Sequence, residues 1–148
     1  MTTSFPYGAG TGTLSAINSL DPTGFTVGVA PETNAATVAY HYVAFNEVPG
    51  TIKRGTYVGN NTDNRGIATV GFQPAYMLVR ADDNVTGRPA VARPSSLAGD
   101  NTLLFTATAM SANQIQALQA NGFQLGTSAN INANTVTYYY LAVRSSAP

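Results

Sequence analysis

The sequence restates itself. Residues 122–142 repeat residues 24–44 without a gap, at a constant offset of 98 positions. Around them twelve positions are identical: Ile17/Ile115, Leu20/Leu118, Gly24/Gly122, Phe25/Phe123, Gly28/Gly126, Asn34/Asn132, Ala35/Ala133, Thr37/Thr135, Val38/Val136, Tyr40/Tyr138, Tyr42/Tyr140 and Ala44/Ala142. Two glycines, a phenylalanine and an alternating Tyr-x-Tyr-x-Ala in one register mark an internal repeat, which constrains architecture more than any local propensity. Residues 51–148 make one full 98-residue unit, whereas residues 1–50 align only with 99–148. The chain therefore divides into an N-terminal half-repeat, 1–50, and a complete β-sandwich unit, 51–148. The half-repeat has an amphipathic strand to bury and no front half of its own. It must share the one front half present or borrow one from a neighbouring subunit.

The local pattern predicts an all-β protein, an antiparallel β-sandwich or jelly roll with one short helix per repeat half. The helices are expected over residues 13–20 and from Ser111, where Ser111 and Gln114 fit a capping box and Ile115 and Leu118 lie three apart. Asn121-Gly122 would end the second. Short strands follow at 25–29 and 123–127, then long ones at 38–45 and 136–143. In the first long strand Val38, Tyr40, Tyr42 and Ala44 share one face and recur unchanged, while Ala39, His41, Val43 and Phe45 on the other face become Thr137, Tyr139, Leu141 and Val143. The constant face predicts a core containing Phe25, Val38, Tyr40, Tyr42, Phe123, Val136, Tyr138 and Tyr140. The front half reads as strands at 55–59, 67–72 and 75–81, a loop at 82–87, a segment 88–93 running into the turn at Pro94, and a further strand over 101–108.

Chemistry is sparse. The single histidine, His41, has a tyrosine as its repeat counterpart, which argues for a packed strand residue over a base or metal ligand. Asp82-Asp83-Asn84, with Asp63 or Asp100, offers hard oxygens without a calcium-loop spacing, so a solvated turn is the simpler reading. Asn60-Asn61-Thr62 and Asn84-Val85-Thr86 are glycosylation triplets of the kind that arise by chance. No nucleophile elbow, phosphate loop or paired carboxylates stand at a recognisable spacing, and no cysteine is present. An enzyme is the poorer reading, and no catalytic, cofactor or metal residue is assigned.

Charge points to contacts instead. Charged residues make up 9% of the chain, against roughly 25% in ordinary soluble domains. The net charge is zero, so no global field draws the chain to nucleic acid or membrane. It is split, however: residues 1–50 hold Asp21, Glu32 and Glu47 with no Lys or Arg, and residues 51–148 carry a balance of +3. Opposite signs favour contact between the two parts, within one chain or between chains of a homo-oligomer. His41, Phe45 and Tyr139 on the variable strand face, with Arg88 and Arg93, are the candidate partner-contact residues. No basic, apolar leader opens the sequence and no apolar run reaches the ~18 residues of a membrane span.

Several motifs carry a resemblance: Gly55-Thr-Tyr-Val-Gly-Asn60, Asp63-Asn-Arg65, Val70-Gly-Phe-Gln-Pro74 leading into Met77-Leu-Val79, Pro94-Ser-Ser-Leu-Ala-Gly-Asp100, and Asn121-Gly-Phe123 leading into Tyr138-Tyr-Tyr-Leu-Ala142. In this order they resemble a repeat of bacteriophage structural proteins, chiefly tail-fibre and other virion-surface proteins, over about two-thirds of the chain. The order of apolar strand and closing Tyr-rich strand is also loosely similar to the H-type lectins, trimeric sugar-binding β-sandwiches. The resemblance implies a structural virion protein, a capsid-decoration, tail or fibre component, made in the host cytoplasm and partnered by other virion proteins and by a host-surface glycan. The alternatives are a sugar-binding adhesin module and a self-assembling extracellular filament subunit.

Overall fold

A computed structural model describes residues 3–4, 10, 12–82 and 87–145. In chain order the elements are β1 (Thr3–Ser4), β2 (Thr13–Leu14), β3 (Ile17–Asp21), β4 (Gly24–Val27), α1 (Pro31–Asn34), β5 (Ile52–Val58), β6 (Arg65–Ile67), β7 (Tyr76–Ala81), β8 (Val91–Pro94), β9 (Leu103–Leu104), β10 (Ile115–Gln119), β11 (Gly122–Leu125), α2 (Ala129–Asn132) and β12 (Thr137–Val143). All the strand pairings are antiparallel. The protein is an all-β sandwich with two single-turn helices.

The complete unit is built from two sheets. One has five strands in the order β5-β12-β7-β8-β9, and the other has three in the order β10-β11-β6. Between them lies the core, with Tyr57, Met77, Val79, Val91, Ile115, Phe123, Leu125, Ile131, Tyr138 and Tyr140 all buried. Strand β12 is central: β5 and β7 flank it along nearly its whole length. Its buried side chains alternate, Tyr138, Tyr140 and Ala142 pointing into the core, as a strand buried on one face requires. Tyr57 stacks on Tyr138 at 5.2 Å, and Phe123 meets Tyr140 edge to face at 5.4 Å.

The helices fall elsewhere than the sequence predicts. Residues 17–21 and 115–119 are strands, and the single helical turns occupy 31–34 and 129–132, in the segment read as a polar loop. The cause is a β-bulge. Pairing of β10 with β11 slips between Ile115 and Ala117, so Ile115 faces Leu125 while Leu118 faces Phe123. One extra residue places side chains three apart on the same face, and a helix-like spacing results from a bulged hairpin. The capping box does not form: Ser111 Oγ donates to the Ala112 carbonyl, and Gln114 is buried, accepting from Asn130. In the front half, the pattern at 67–72 yields only β6 at its start, and that at 101–108 only the two-residue β9.

Candidate functional site

The two back halves share one local design. Strands β3 and β4 carry the same bulge, between Ile17 and Ser19, as β10 and β11. Thr37 and Thr135 both take the left-handed conformation, at φ 64° and 65°, an unfavourable state for a β-branched residue. The Tyr40 hydroxyl donates to the Pro31 carbonyl and accepts from the Ala35 amide at 2.9 Å; Tyr138 does the same with Ala129 and, at 2.9 Å, Ala133. Asn34 and Asn132 donate to the carbonyls of Gly28 and Gly126 at 2.7 and 2.8 Å. Phe25 meets Tyr42 edge to face, as Phe123 meets Tyr140. Even the strand entering each half recurs, Ser4 opposite Thr13 and Thr102 opposite Ser111.

What differs is the cover. In the complete unit β5, β6 and β7 close over the back half. In the half-repeat the long strand expected over residues 38–45 does not form, since no described strand pairs with residues 38–47, and β3 and β4 form a sheet of two. Tyr42 is 75% exposed where Tyr140 is 4%, and Tyr40 is 41% exposed where Tyr138 is 0%. Val38 and Leu20 are exposed as well, whereas Val136 and Leu118 pack against the core. The expectation that Phe25, Val38, Tyr40 and Tyr42 are core residues is therefore corrected. Phe25 is half-buried and the other three are exposed, because the strands that bury their counterparts occur once in the chain. Phe123, Tyr138 and Tyr140 are buried, and Val136 is half-buried against the core.

The result is an open apolar trough of roughly 610 Å³, lined chiefly by Leu20, Phe25, Tyr40, Tyr42, Val43 and Phe45, with Glu32 and His41 also in its lining. Its chemistry is that of an unfinished protein core. Aromatic and aliphatic side chains face solvent, beside backbone N–H and C=O groups without a sheet partner, a combination that favours adding strands.

Of the five candidate contact residues, His41 and Phe45 are exposed and line this trough. The others lie elsewhere. Tyr139 is exposed on the outer face of β12 and donates to Asp82 at 3.1 Å, a bond that holds its hydroxyl pKa above the ordinary value. Arg88 is half-buried. Arg93 is buried, its guanidinium bonded to the carbonyls of Leu97, Gly99 and Asn101, so it clamps the loop after β8. Sequence reasoning missed Tyr40, Tyr42, Val38 and Leu20 as surface residues, although the single front half was the signal that exposes them.

Where the half-repeat meets the unit, Glu47 accepts from Lys53 at 2.6 Å and lies 3.5 Å from Arg54. The hydrogen bond from Lys53 lowers the Glu47 pKa, and the same bond raises that of Lys53. The acidic-loop reading at 82–84 rests partly on Asp83 and Asn84, as the second glycosylation triplet rests on 84–86; both lie outside the described residues. Among the described residues no three His, Asp or Glu side chains come together as a metal site, and no helix is long and apolar enough to cross a membrane.

No curated protein and no solved structure matches the chain. A family model does match residues 7–146, running through the open half and the closed unit together, and the chain belongs to that family, the domain of unknown function DUF7483.

Proposed function

We propose that this protein is a structural component of a bacteriophage particle, a capsid-decoration, tail or fibre protein that joins its neighbours through the open face of the half-repeat. The observation that carries the reading is the pair Tyr42 and Tyr140: one sequence motif, one local geometry, covered in one copy and bare in the other. A contiguous apolar face of this kind is uncommon on a protein that works alone and marks an interaction surface. The low charged fraction supports the same reading, as does the resemblance of its motifs to virion-surface repeats.

Proteomic analysis of density-purified particles from cells expressing the gene tests this. The chain should be recovered with the particles, in many copies per particle. Its absence from particles, with the chain abundant in the supernatant, would overturn the virion role. The sugar-binding reading draws on the same trough, whose tyrosines could stack a pyranose beside Glu32 and His41. Those tyrosines have counterparts that serve as core in the second half, which makes protein contact the better account. Saturable glycan-array binding lost in Tyr42→Ala would reverse that preference.

A further inference from the structure

The geometry points to a specific occupant for the trough: a basic front half of the β5–β6–β7 type, additional to the one that residues 51–98 supply. This deepens the assembly reading and rests on it only for where the partner resides.

The second half of the chain shows what the back-half design is shaped to receive. Gly122 sits under β6 so closely that a Cβ there would lie 1.9 Å from the Ile67 carbonyl oxygen. A Cβ added to its repeat-mate Gly24 would meet nothing within 4 Å. Neither residue has a positive φ, so the backbone alone does not demand glycine at either place. Gly24 has the shape needed to admit a strand that the described residues do not supply.

Tyr42 and Asn34 repeat the argument. The Tyr140 ring lies over Gly55 of β5, with its hydroxyl 3.0 Å from that of Thr69. Tyr42 holds the same ring contact to Phe25, yet its hydroxyl has no partner among the described residues. Asn132 uses its remaining capacity on the front half, accepting from the Asn60 amide at 3.0 Å and donating to the Thr62 carbonyl at 2.9 Å. Among the described residues the Asn34 side chain makes only the internal bond to Gly28, and the residue is exposed. Each missing contact belongs to the front half, and each recipient group is already in position.

A second copy of this chain does not meet the need. Every copy brings two back halves and one front half, and that front half is held by β12 on both β5 and β7. Exchange between copies would uncover one back half for each one it covered. Two half-repeats face to face would bring together two surfaces carrying Asp21 and Glu32 with no Lys or Arg, Glu47 being already paired with Lys53. A front half suits better. The one present here, 51–98, carries Lys53, Arg54, Arg65, Arg80, Arg88 and Arg93 against Asp63, Asp82 and Asp83. The partner is therefore expected to present a basic strand set, with glycine opposite Tyr42 and a hydroxyl within reach of it.

The test uses the full chain, with a polypeptide of residues 51–98 as the probe. A 1:1 complex should appear by native mass spectrometry. Amides of residues 38–45 should slow in hydrogen exchange by roughly 100-fold as they acquire strand partners. Gly24→Ala should leave the lone chain's exchange unchanged and abolish the complex. If the probe aggregates, residues 51–98 joined ahead of residue 1 by a flexible linker should protect 38–45 in the same way, and Gly24→Ala in that fusion should remove the protection. Unprotected 38–45 amides at saturating probe or in the fusion, or equal binding by Gly24→Ala, would overturn the proposal. So would protection that grows with the concentration of the full chain alone, which would make a second copy the occupant. None of these outcomes depends on whether the chain is found in particles.

Discussion

Truncating the same tyrosine in the two copies should have unequal effects. Tyr138 is fully buried, stacks on Tyr57, and ties Ala129 to Ala133 through its hydroxyl. Its replacement by alanine removes an enclosed aromatic ring and leaves a cavity, a loss of about 3–5 kcal/mol. That is a large fraction of the ~5–15 kcal/mol available to a domain of this size. Tyr40 makes the equivalent hydroxyl bonds, but no front half lies over its ring, and truncation leaves an open depression rather than a cavity. What remains is the transfer term for the covered part of the ring, roughly 1–2 kcal/mol, beside the hydroxyl bonds that both substitutions lose alike. Because the half-repeat and the unit can open separately, one global midpoint would blur the comparison. Native-state hydrogen exchange under mild denaturant separates them, reading residues 137–143 for Tyr138→Ala and residues 24–27 for Tyr40→Ala. Equal losses in opening free energy would refute the reasoning, since they would mean that Tyr40 is as enclosed in solution as Tyr138.

Three further outcomes are expected. Gly55→Ala would place a Cβ 2.4 Å from the Tyr140 hydroxyl oxygen, and should lower stability by about 1–3 kcal/mol in urea unfolding; an unchanged midpoint would show that the ring moves aside freely. Burial, with Tyr138 beside it, holds the Tyr57 hydroxyl pKa well above its ordinary 10.0, so the folded state keeps a proton that the unfolded chain releases. Stability from this group is therefore complete below about pH 10 and falls as pH rises beyond it, and Tyr57→Phe should flatten that fall in urea midpoints measured from about pH 9 to about 12. Glu47 has its pKa depressed, chiefly by the Lys53 hydrogen bond, so its contribution is present above the ordinary 4.5 and lost as pH falls through the folded value. A carboxyl-carbon NMR titration should place its midpoint below 4.5, with Lys53→Met raising it; a midpoint indifferent to Lys53 would contradict the pairing.

The repeat was the most legible feature of the sequence, since Tyr40 and Tyr138, and Asn34 and Asn132, make matching hydrogen bonds within their own halves. The all-β class was legible too, from alternation and turn density. Two things were not. A bulge makes Ile115 and Leu118 share a strand face at helical spacing, and periodicity alone cannot separate that from a turn of helix. Burial was misread for Val38, Tyr40 and Tyr42 because a repeated face reports the environment a segment is shaped for, and the strands supplying that environment occur once. Arg93 shows the same limit from the other side. An arginine reads as surface charge, and only the loop folding back over it reveals three carbonyls for its guanidinium to bind.

The central claim is that the half-repeat is folded but uncovered when the chain is alone. Amide hydrogen exchange of the full chain in dilute solution, read at residues 38–45 and at 137–143, tests it most directly. The account predicts strong protection across 137–143, where β5 and β7 pair with β12, and near-free exchange across 38–45. Matching protection in the two segments would contradict it.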